Sequence, residues 1–72
     1  MINQGEILTL SDNKKYSVVF TTTLNNENYV YLIEQDNYSN TMFCKYHNND
    51  LEEVLNPEIV KQLMIKFMNQ KH

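Results

Sequence analysis

Short apolar runs fill most of the chain ahead of Pro57, and clusters of Asn and Asp interrupt them at regular intervals. Runs rich in β-branched and aromatic residues at 6–10, 16–24, 28–35 and 41–47, with a shorter one at 51–55, predict strands. The interruptions, "SDNKK" from Ser11, "NNEN" from Asn25, "DNYSN" from Asp36 and "HNND" from His47, predict turns. Asn and Asp suit that role because their short side chains bond nearby backbone and tolerate the left-handed conformation. A parallel crossover needs a dozen or more residues, so connections this short predict an antiparallel meander of about five strands.

After Leu55 the apolar positions recur with a period of 3.6. Asn56 is placed to cap a helix, Pro57 to open it, Glu58 to face its positive end and Leu55 to staple onto Val60. Over residues 57–70 a single face collects Ile59, Val60, Leu63, Met64, Phe67 and Met68, while Ile65 lands among the polar positions. The expected fold is α+β: one domain spanning residues 1–72, a small twisted antiparallel meander with one C-terminal amphipathic helix packed on it.

The hairpin turning at Asn25-Asn26 sets Phe20 opposite Tyr31, Thr22 opposite Tyr29 and Val18 opposite Ile33 on one face, leaving Val19, Thr21, Val30 and Leu32 on the other. Both faces are partly apolar, yet only one helix is available to cover them. Two arrangements fit. Strong twist can curl the meander into a half-barrel, or one face, with Tyr29 and Tyr31 at its centre, stays open to bind another protein or a second copy of the chain. Ile65 would extend such a surface onto the helix. The first and last strands of the meander offer a third route, because their outer edges carry backbone donors and acceptors to which another chain can pair.

Size and composition narrow the functions. A chain of 72 residues buries only about 60% of its unfolded surface and builds one thin core. Its 42% hydrophobic content contains no Ala and no Trp, so the core draws on larger side chains. The single cysteine cannot close an internal disulfide, and "MINQGEIL" has no basic stretch leading into an apolar one; both favour a cytoplasmic location. No apolar run approaches the roughly 20 residues of a membrane span. The net charge is -3 and every basic residue is a lysine, which argues against a nucleic-acid partner.

Candidate chemistry centres on "FCKYHNND", residues 43–50. On a strand, Cys44 and His47 point to opposite faces with Cα atoms about 10 Å apart, too far to share a metal or form a nucleophile and base pair. Glu52 and Glu53 diverge in the same way, His72 is terminal, and the one glycine excludes a Gly-rich phosphate loop. No catalytic, cofactor or metal residue is expected.

The run "YSVVFTTTLNNENYVYLIEQDNYSNTMFCKYHNNDLEEVLNPEIVKQLMIKF" resembles small uncharacterised bacterial proteins of the domain-of-unknown-function type. The shared layout is a strand, an "NYVYLI"-like strand, an acidic turn, a strand ending near "LEEV" and a closing amphipathic helix. It extends over about residues 6 to 67, though this chain is less acidic than the usual members. The resemblance implies an α+β fold without enzymatic activity and carries no site residue with it. The function expected is binding to another protein, as an accessory subunit, a regulator or a mobile-element-encoded inhibitor of a host protein, with Tyr29, Tyr31 and Ile65 as contact candidates. A small-ligand domain and a structural homodimer are the alternatives.

Overall fold

A computed structural model describes residues 2–48 and 50–70. Five strands, β1 (Ile7–Thr9), β2 (Lys15–Leu24), β3 (Glu27–Glu34), β4 (Thr41–His47) and β5 (Asp50–Glu53), are followed by helix α1 (Pro57–Met68). The strands form one sheet in the order β1-β2-β3-β4-β5 with every neighbouring pair antiparallel, so the meander expected from the turn spacing is present. The sheet curls into a half-barrel and the helix lies on its outside.

The turns work through left-handed residues. Asn25 and Asn26 both have positive φ, 53° and 65°, as a two-residue hairpin loop requires if its twist is to match that of the strands. Between β1 and β2, Asn13 has φ of 63°, its N–H bonds to the Leu10 carbonyl, and the Leu10 N–H bonds to the Lys14 carbonyl. Asn48 begins the β4–β5 turn at φ of 49°. The single glycine has a use that its isolation did not suggest. Gly5, at φ of 95°, occupies the third position of a turn closed by the Glu6 N–H on the Asn3 carbonyl, a place that favours glycine. This turn returns Ile2 to the core.

The curl originates in β2. Opposite β3, Val18 faces Leu32 and Phe20 faces Tyr31, so Val19 is the extra residue of a β-bulge. The expected Phe20–Tyr31 and Thr22–Tyr29 pairs form, whereas Val18 meets Leu32 and not Ile33. A bulge reverses the parity of everything on one side of it and increases local twist. Tyr16 and Val18 consequently turn to the inner face with Val30, Leu32 and Cys44, while Phe20 turns to the helix. Without Val19 in that role, Tyr16 and Val18 would share the helix face and the interior would lose its two largest β2 side chains.

The outer face packs on α1. Tyr29, Phe43 and Leu63 are its buried centre, flanked by Ile59, Val60 and Met64. Phe67 seals one end: its ring lies 5.4 Å from Phe20 in edge-on geometry and 5.0 Å from Tyr31, which stacks on Phe43 at 4.4 Å. Asn56 caps the helix as expected, its Oδ1 accepting from the Glu58 N–H at 2.9 Å. Three details differ from expectation. Leu55 is 79% exposed and makes no staple, while Val54, one residue earlier, packs against the same core as Val60. The helix ends at Met68, capped by Asn69, not at residue 70. Met68, on the expected apolar face, is 75% exposed.

Leu63→Ala should lower the unfolding free energy by about 2–5 kcal/mol, and Ile65→Ala, on the exposed side, by less than about 1 kcal/mol, as measured by urea denaturation. Deleting Val19 should abolish cooperative unfolding, because it removes the bulge that separates the two faces.

Candidate functional site

The residues of "FCKYHNND" separate as the strand geometry demands. Cys44 is buried on the inner face, while His47 is exposed at the end of β4 with a ring nitrogen 3.1 Å from Asn48 Nδ2. Burial pushes the Cys44 thiol up to about 11, and the charge of Glu53, its partner across β5, adds to the rise. Such a thiol is held neutral and is a poor nucleophile. Among the described residues no three His, Cys, Asp or Glu side chains come together as a metal-binding group. His72 lies outside the described residues.

The tyrosine face is occupied. Tyr29 is only 7% exposed, at the buried centre of the helix packing, and Tyr31 is clasped between Phe43 and Phe67. Of the open face and the half-barrel, the half-barrel is the arrangement adopted, and the helix is the reason: its apolar stripe covers the side of the sheet on which both rings stand. A partner would have to lift α1 to reach them. Ile65 remains 50% exposed, and with Met68 it forms a small apolar shoulder on the helix.

A polar cluster closes one end of the interior. The Tyr16 hydroxyl donates to Asp12 Oδ2 at 2.9 Å and accepts from Asn40 Nδ2 at 3.3 Å, and Asn40 Nδ2 also donates to Glu34 Oε1 at 2.9 Å. Asp12 Oδ1 accepts from the Lys14 N–H at 2.9 Å. That amide holds the Asp12 carboxyl below its ordinary value, and burial foremost, then the bond to Asp12, raises the Tyr16 phenol. The result is a neutral donor facing an ionised acceptor, which ties the β1–β2 turn to the β3–β4 loop. It also gives Glu34, buried at 6% exposure, a hydrogen-bond partner. The arrangement is a clasp rather than an acid and base pair poised for proton transfer.

The remaining feature is a seam. β1 and β5 are the two edges of the sheet and do not pair with each other, so the barrel stays open along one side. Two adjoining cavities, about 440 and 420 Å³, share Thr9, Leu10 and Leu51 as lining. Leu8, Leu10, Met42 and Leu51 pack against the inner core and provide an apolar floor. Asp12, Asp50 and Glu53 line the larger cavity.

The hydrogen-bond phase shows which backbone groups face the gap. Val18 donates to Glu6, Gly5 donates to Val18, and Leu10 donates to Lys14. By the alternation of an antiparallel ladder Leu8 then bonds toward β2, and Ile7 and Thr9 point outward. On the other side Val54 donates to Phe43, which turns Glu52 and Asp50 toward β4 and leaves Leu51 and Glu53 facing outward.

The fold defines a small α+β half-barrel domain whose distinctive surface is this open seam. No protein-family model, curated protein or solved structure matches the chain. No helix among the described residues is long and apolar enough to cross a membrane.

The Cys44 thiol gives a pH prediction. In the unfolded chain it ionises near 9.0 and in the fold near 11, so the folded state retains a proton that the unfolded state has lost. Its contribution is complete below pH 9.0 and disappears as the pH rises to about 11. The stability difference between the native chain and Cys44→Val should therefore be flat below pH 9.0 and shift in favour of the valine variant above it, as measured by urea denaturation across that range. Tyr16 is present in both chains, and its own titration cancels.

Proposed function

We propose that this domain is a non-catalytic protein-binding module of the cytoplasm, acting as an accessory or regulatory subunit, and that it contacts its partner through the seam between β1 and β5. The observation that carries this reading is the seam itself. Two strand edges with outward-facing backbone groups flank an apolar floor, and such edges bind other chains readily unless something blunts them. Both edges are short, at three and four residues, and β5 carries three carboxylates, so the reading rests on the apolar floor between the edges more than on the edges alone. The buried, protonated thiol and the separation of Cys44 from His47 favour binding over catalysis.

A small-ligand reading draws on the cavity volume, since about 440 Å³ lies within the range of ligand sites, roughly 300–1,000 Å³. Against it, the rim residues Ser11, Asp12 and Asp50 are exposed, so a small molecule there would remain largely solvated. A homodimer joined through β5 would bring the same carboxylates of two copies together, which like-charge repulsion opposes.

Site-directed photo-crosslinking in cells tests the choice of surface. A benzophenone side chain at Thr9 should form an adduct with another protein, and one at Lys66, on the outward side of α1, should not. Adducts from position 65 alone would move the contact to the helix shoulder, and none from either surface would remove the protein-binding reading.

A further inference from the structure

The seam has a definite chemistry, and resting on the protein-binding reading above, we infer that it is closed by one extended strand of a partner bearing alternate apolar and cationic side chains. Four outward-facing residues, Ile7 and Thr9 on β1 with Leu51 and Glu53 on β5, present backbone N–H and C=O groups to the gap. A strand lying between them at the usual spacing of about 4.8 Å pairs with one edge or both, and continues the order of the sheet. Side chains of that strand alternate between the interior and solvent. The inward ones meet Leu8, Leu10, Met42 and Leu51, so they must be apolar.

The charge of the seam selects the rest. Asp12, Asp50 and Glu53 line the larger cavity, and no Lys, Arg or His is among the described residues lining either cavity. Lysine or arginine side chains on the solvent side of the incoming strand reach Asp12 and Asp50, since Asp50 lies on the opposite face of β5 from Leu51 and Glu53, and long cationic side chains also lay their methylene stems on the apolar rim. A second copy of this chain is the poorer occupant. Its β5 edge carries Asp50, Glu52 and Glu53, and its net charge is -3.

The test uses the intact, isotopically labelled protein and two short synthetic peptides, one alternating valine with lysine and the other valine with glutamate. Titration with the lysine peptide should shift the amide resonances of Ile7, Thr9, Leu51 and Glu53 and slow hydrogen exchange at Thr9 and Leu51, because those N–H groups enter hydrogen bonds. The glutamate peptide should do neither. Asp50→Asn should weaken the lysine peptide by about twofold, as one solvent-exposed ion pair is lost. Raising the ionic strength from about 0.1 M to about 1 M should weaken it similarly, as screening tightens.

Thr9→Pro should abolish exchange protection while leaving the melting temperature nearly unchanged, since the N–H it removes points away from the sheet. Shifts without exchange protection, or equal effects from both peptides, would overturn strand pairing by a cationic segment. So would concentration-dependent protection in the protein alone, which would place a second copy in the seam. If crosslinking from Thr9 captures a partner but the lysine peptide has no effect, the module binds proteins by another geometry; if both fail, the seam is not a binding surface.

Discussion

The central strands of this domain bury apolar side chains on both faces, and a chain of 72 residues has one helix with which to cover them. The β-bulge at Val19 resolves the conflict. It assigns Tyr16 and Val18 to the interior and Phe20 to the helix, and the twist it adds bends the sheet around its own inner residues. One face is covered by α1, the other by curvature. Val30 and Tyr29, adjacent in β3, are both buried because each belongs to a different one of these two cores. Cys44 and Phe43 repeat the pattern in β4.

The helix core and the inner core have different tolerances. On the helix side the packing is aromatic and directional, with Phe67 seated against Phe20 and Tyr31 and with Leu63 fully enclosed. The inner core is closed at one end by the Tyr16 clasp and supported by Ile2, which the Gly5 turn brings back to it. Along the side it stays open, because β1 and β5 are the two edges of the sheet and do not pair. The seam is thus a consequence of the same curl that buries the inner face. Its apolar floor is core that curvature alone does not cover, which is why a binding role is proposed there and not at the tyrosines.

The elements themselves were legible in the sequence. Runs of β-branched and aromatic residues separated by Asn and Asp turns marked the strands, and Asn56-Pro57-Glu58 marked the start of the helix to the residue. The separation of Cys44 and His47 followed from alternation alone. Less was legible of the surface. Tyr29 and Tyr31 were plausible contact residues as long as the coverage of their face was unknown, and sequence carries no signal for which face a helix will choose when both are apolar. The edge strands could be anticipated as pairing sites, but the cavity between them could not, since it joins residues from opposite ends of the meander.

The alternation and the caps are local. They act within a few residues through backbone geometry and nearby hydrogen bonds, so the chain by itself determined the five strands, their antiparallel order, the hairpin at Asn25-Asn26 and the helix. The bulge at Val19, the burial of the tyrosines, the exposure of Leu55 and the seam were decided only in the tertiary structure. Each depends on which of two apolar faces wins the helix, and that competition is settled by the packing of the whole sheet at once.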